Sequence, residues 1–148
     1  MSLWGTAFAQ QEVITLETES INPGSTLYPV KRGWEKLREM MNFSVEDKMN
    51  YQRSLLKIRL SELSYVVDKK LLNEFQTSSE RFAYQAGILT NILVEQKKQE
   101  DKETIKKEFI SYSKILDQLR DNHPANTSYW MLIQHDINTL KILSEKLN

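Results

Sequence analysis

LYPVKRGWEKLR, residues 27–38, is where this chain turns helical, and it sets the architecture of the remaining residues. Proline is tolerated at the first helical position because the N–H there has no intrahelical partner anyway. The ring pushes the preceding Tyr28 out of helical geometry. A helix from Pro29 to about Met41 is therefore expected. Trp34, Leu37 and Met41 share one face at spacings of three and four. The stretch is also dense in charge. Lys31 and Glu35 are four apart and Glu35 and Arg38 three apart, so both pairs can meet on the helix surface.

Helical periodicity continues almost without interruption after residue 38. Asn42 and Phe43 make a break, and Ser44 is a good N-cap with Glu46 and Asp47 behind it. The second helix carries Met49, Leu56, Leu60, Leu63 and Val67 on one stripe and should end near Val67 to Asp68. In the third, Leu71, Phe75, Ser78, Phe82, Ala86, Leu89 and Leu93 recur at three and four, giving one helix of about 70–97. A break at Thr77 to Ser79 is the alternative, since serine is a poor helix former.

Residues 95–103 are polar on every face, as a solvated connector or as the exposed ends of two helices. A fourth helix follows with Ile105, Phe109, Tyr112, Leu116 and Leu119. DNHPAN, residues 121–126, stops it: Asn122 can turn left-handed and Pro124 blocks continuation. The fifth starts at Thr127 or Ser128 and presents Trp130, Ile133, Ile137, Leu140 and Leu147. The expected fold is all-α: an antiparallel bundle of four long helices preceded by one short N-terminal helix lying across its end or side.

Composition agrees. At 148 residues the chain suits one domain with one core, and 40% apolar residues are enough to fill it. The mean hydropathy of -0.53 suits a soluble protein. No stretch reaches the ~20 apolar residues of a membrane-spanning helix. Lys plus Arg equals Asp plus Glu at 20 each, which argues against a nucleic-acid partner. With no cysteine, the chain has no disulfide, zinc–thiolate or thiol chemistry.

Catalytic patterns are missing. The two histidines, His123 and His135, stand in no HExxH or ExxH motif, so helical zinc and di-iron sites lack their ligands. No Gly-rich phosphate loop occurs. Gly33 and Gly87 are isolated inside helical patterns, where glycine costs about 1 kcal/mol relative to alanine. Gly87, with Ala83 and Ala86, makes a small-residue patch that another helix could approach closely. Met40, Met41, Met49 and Met131 suit a core, or an adaptable binding surface. An enzyme site assembled from distant helices would draw on Glu35, Arg38 and His135.

Three readings fit the charges of the first helix. They form an exposed ladder, or Arg32 or Arg38 enters a semi-buried ion pair that docks the helix, or Lys31, Arg32 and Arg38 form a small anion or partner site. The candidate partner-binding or helix-docking residues are therefore Tyr28, Lys31, Arg32, Trp34, Glu35 and Arg38. Tyr28 and Trp34 fit a core role better than a contact role.

Leu27, Tyr28, Pro29, Lys31, Arg32, Glu35 and Arg38 together resemble the opening motif of an uncharacterised bacterial extracytoplasmic domain family of unknown function. Residues 43–63 resemble its second helix, including the Arg-Leu-x-Glu-Leu run at 59–63. This chain differs in placing Gly33 and Trp34 between the motif's Arg and Glu. Its later helices are also richer in Lys, Gln and Asn.

The resemblance implies export. It therefore favours reading Ala7-Phe8-Ala9 before Gln10 as a signal-peptidase site behind a truncated leader, rather than as an ordinary N-terminus. Residues 1–26 become a signal-peptide remnant and flexible lead-in, and 27–148 a single helical domain, with a membrane anchor upstream of Leu3 as a further option. Some similar domains follow a membrane segment in proteins that resemble anti-sigma regulators. The resulting expectation is a non-enzymatic exported domain without metal or cofactor, binding a protein or peptide, sensing or spacing at the cell envelope. The rival is a periplasmic chaperone-like stress-binding protein.

Overall fold

The computed structural model describes Leu16 and residues 19–41 and 44–148. Residues 7–9 and the break at 42–43 lie outside the described residues. Among those described, all regular structure is helical: α1 Tyr28–Met41, α2 Val45–Asp68, α3 Leu72–Gln96, α4 Gln99–Asp121 and α5 Ser128–Lys146. α2 packs on α3, α3 on α5 and α4 on α5, forming a bundle around one core.

The starts of α2 and α5 follow from capping. Ser44 Oγ accepts from the Asp47 N–H at 3.0 Å, and Thr127 Oγ1 accepts from the Trp130 N–H at 3.3 Å. α3 runs unbroken through Ser78 and Ser79, which are both buried. The polar run at 95–103 is the meeting of two helix ends, with Lys97 in left-handed geometry at φ 54°. After α4, Asn122 stays right-handed at φ -77°, and the left-handed turn falls on Asn126 at φ 74°. The stop at 121–126 holds, but the reversal comes later than Asn122 because Pro124 already prevents helix continuation.

The stripes of α2 and α4 are buried as expected: Met49, Leu56, Leu60, Leu63 and Val67 on one, Ile105, Phe109, Tyr112, Leu116 and Leu119 on the other. α1 differs. Trp34, Leu37 and Met41 share a face, but that face is outward, and Trp34 is 68% exposed. Only Tyr28 of α1 is buried. Gly87 does not mark a close helix approach either, because a Cβ there would meet nothing within 4 Å.

Polar contacts also join the bundle helices. Arg53 of α2 donates Nε to Glu108 Oε1 of α4 at 2.8 Å. Asp136 of α5 is fully buried against α3, where Ser79 Oγ donates to its Oδ2 at 2.8 Å and its Oδ1 has no partner among the described residues. Burial pushes this carboxyl from 3.8 up to about 7, and the Ser79 bond only partly opposes the shift.

The shift has a consequence for stability. Below pH 4 Asp136 is protonated in both folded and unfolded chains. As pH rises from about 4 to 7 the unfolded chain loses that proton first, so stability falls, then levels above about 7. Asp136→Asn should match the parent near pH 4 and exceed it at pH 8. The gain should be about 2 kcal/mol, against a ceiling of about 4 for the full shift. Urea unfolding of both proteins across pH 4–8 checks this.

Candidate functional site

The most elaborate polar arrangement lies between α1 and α2. Arg59 and Glu62 stand three positions apart on α2 and are each 1% exposed. A buried ion costs several kcal/mol unless it is paired and its remaining hydrogen-bonding positions are filled. Arg59 Nη1 donates to Glu62 Oε2 at 2.7 Å. α1 supplies the other partners: Tyr28 OH donates to Glu62 Oε2 at 2.9 Å, Lys31 Nζ to Glu62 Oε1 at 2.7 Å, and Glu35 Oε2 accepts from Arg59 Nη2.

Further contacts extend this seam. Lys31 Nζ also donates to the Ile21 carbonyl at 3.0 Å and lies 3.3 Å from Glu19 Oε2, which ties the lead-in to α1. Arg32 Nη1 donates to Glu35 Oε2 at 3.0 Å. Tyr51 OH donates to the Glu35 carbonyl, and Gln52 Nε2 to Glu39 Oε1 at 2.6 Å. Arg81 of α3 donates Nη1 to Tyr28 OH at 3.0 Å and lies 5.0 Å over its ring. The carboxylates Glu19, Glu35 and Glu62 thus face Lys31, Arg32 and Arg59.

The environment acts on protonation as expected. Burial, aided by Glu62, pushes the Tyr28 hydroxyl up to about 12. Burial pulls Arg59 down, but Glu62 and Glu35 more than reverse it, leaving the guanidinium above its ordinary value. Tyr28 is thus neutral and Arg59 charged at neutral pH.

The arrangement joins two stretches of sequence. Tyr28 and Lys31 belong to the Leu-Tyr-Pro-x-Lys-Arg motif, and Arg59 and Glu62 to the Arg-Leu-x-Glu-Leu run. Both are halves of one buried network. Lys31 and Glu35 do not pair with each other within α1. Lys31 goes to Glu62, and Glu35 to Arg59 and Arg32. Arg38 stands apart, 6.0 Å over the Tyr51 ring. Trp34 lies on the open side of α1. His135 is exposed on α5, and among the described residues no hydrogen bond or ion pair joins it to Glu35 or Arg38. His123 stacks on Tyr129 at 4.9 Å.

With its polar side turned inward, α1 presents Val30, Trp34, Leu37 and Met41 to the outside, and Leu27 just before it is exposed as well. Beside them runs a mainly apolar groove of about 610 Å³, lined by Ile21, Leu27, Val30, Trp34, Tyr51, Leu55 and Ile58, with Lys31, Glu35 and Arg38 also in its lining. On the other side of α1, towards α3, lies a charged cleft of about 430 Å³. Among the described residues no cluster of His, Asp or Glu could hold a metal ion, and no helix is long and apolar enough to cross a membrane.

The seam and the open face differ in energetic weight. Arg59→Met leaves Glu62 and Glu35 without their main cation and should cost about 3–5 kcal/mol. Trp34→Ala removes an exposed side chain and should change stability by no more than about 0.5 kcal/mol. Urea denaturation of the two variants tests the contrast.

The chain has no match among curated proteins and none among solved structures. A family profile does match, over residues 20–122, from the lead-in through the last residue of α4 and the one after it. α5 lies beyond the matched span, although it gives Ile133, Leu140 and Leu143 to the core, with Leu147 just after it. The matched span holds both halves of the buried seam, and the chain belongs to the family described as Domain of unknown function (DUF5667).

Proposed function

We propose that this chain is a non-enzymatic helical domain that binds a helix of another protein in the groove beside α1. It would do so at the extracytoplasmic side of a bacterial envelope, as a sensing, spacing or docking element. In this reading the short connections at 69–71, 97–98 and 122–127 order α2 to α5 as an antiparallel bundle, with α1 as the short leading helix. Export rests on the resemblance of residues 27–38 and on Ala7-Phe8-Ala9.

The observation that carries the proposal is the exposed apolar stripe of α1. Contiguous apolar surface is unusual on a soluble monomer and marks interaction sites. Residues 27, 30, 34, 37 and 41 alternate steps of three and four, the spacing that a second helix meets with its own apolar face. The groove offers depth for side chains of the partner, and a flat lipid surface would leave it unfilled. Arg38, in no ion pair among the described residues, suits an acidic residue on that helix. A second reading, a chaperone-like protein, draws on Met40 and Met41, which are 73% and 63% exposed and whose thioether chains adapt to varied clients.

Site-specific photo-crosslinking in the native envelope fraction distinguishes these. Probes at Trp34 and Leu37 should trap one partner helix, and a probe at Ile110 on α4 should not. Many unrelated adducts would favour the chaperone reading. Equal labelling from Ile110, or none from α1, would remove the proposal.

A further inference from the structure

The cleft on the α3 side of α1 is chemically unlike the groove. Arg32, Lys36, Arg59 and Arg81 line it, against Glu35 and Glu39. The chain as a whole has zero net charge, so this cationic excess is local. Its carboxylates are engaged through one oxygen each: Glu35 Oε2 takes Arg59 and Arg32, while its buried Oε1 has no partner among the described residues, and Glu39 Oε1 takes Gln52.

Arg81 is the distinctive member. Its guanidinium is held by the Tyr28 ring and hydroxyl and pairs with no carboxylate among the described residues. A guanidinium carries five N–H donors in a rigid fork. One is spent on Tyr28, so Arg81 is oriented in advance with donors to spare. Gly33 adds the space. It has ordinary helical backbone, so no positive φ demands glycine. A Cβ there would meet nothing within 4 Å, so packing does not demand it either. It lines the same cleft as Arg32 and Arg81, and its missing side chain leaves open space there.

We propose that this cleft is an oxyanion-binding site, in which Arg81 and Arg32 hold a carboxylate or phosphate group above Gly33 and Lys36 adds long-range attraction. Fork-shaped donors fixed in a half-buried cleft favour planar or tetrahedral oxyanions over halide. The volume of about 430 Å³ fits a small organic acid or phosphate, and Tyr84 and Ile88 give it an apolar wall. The site shares α1 with the helix-binding groove but does not depend on it, so either can fail alone.

The test is a titration of the full chain in phosphate-free buffer with inorganic phosphate, acetate and hexanoate. It is followed by the Gly33 amide and Arg81 Nε–H signals in ¹⁵N-resolved NMR. Saturable shifts at both positions are expected. Tightest binding of phosphate points to a phosphoryl source, and hexanoate above acetate points to an organic acid using the Tyr84–Ile88 wall. Arg81→Gln should weaken binding about tenfold or more, the equivalent of one charge-assisted pair. Because Arg81 also steadies Tyr28, Gly33→Leu is the decisive variant: it fills the space, gains helix propensity and should abolish binding with the fold intact. No saturable shift with any of the three anions, or binding undiminished in Gly33→Leu, would overturn the site.

Discussion

The buried pair Arg59–Glu62 is the constraint that determines the N-terminal third of this molecule. Two ionised groups at 1% exposure each must be matched from outside their own helix, because α2 alone satisfies only one bond between them. The cost of an unmatched buried charge is several kcal/mol, a large part of a domain's net stability. α1 therefore lies with Tyr28, Lys31 and Glu35 against α2. Its orientation is fixed by charge, where α2 to α5 orient one another by apolar burial.

That choice of face has an effect beyond docking. A helix that spends its polar side on the bundle exposes its apolar side. Leu27, Val30, Trp34, Leu37 and Met41 are left as a surface feature, with a groove along one edge and a cationic cleft along the other. The hydrophobic effect alone would place this stripe inward, at about 1.5–3 kcal/mol for each fully buried large side chain. Its exposure at helical spacing along one face is the main reason for proposing a partner.

Much of the fold was legible in the sequence. Helix starts at Ser44 and Thr127, the unbroken third helix and the stop before Pro124 follow from capping, periodicity and proline chemistry. The orientation of α1 was not legible, since a period of 3.6 says which residues share a face and not which way it points. Trp34 therefore belongs to the outside although its spacing suits a core. The burial of Arg59 and Glu62 did leave a signal. Leu55, Leu56, Leu60, Leu63, Val66 and Val67 surround much of α2, so charges between them had little route to water. Asp136 left a signal too, since it stands three after Ile133 and four before Leu140, on the core stripe of α5. The small-residue patch at Gly87 misled because a gap in side-chain volume need not be filled by a neighbour.

The direction in which α1 faces is open to direct measurement by hydroxyl-radical footprinting with mass spectrometry of the native chain. Fast oxidation of Trp34, Met40 and Met41, with Met49 strongly protected in the core, is the pattern that an ionic seam with an outward apolar face requires. Protection of Trp34 and Met41 to the level of Met49 would mean that the helix docks by its apolar side, and the account of the seam would be wrong.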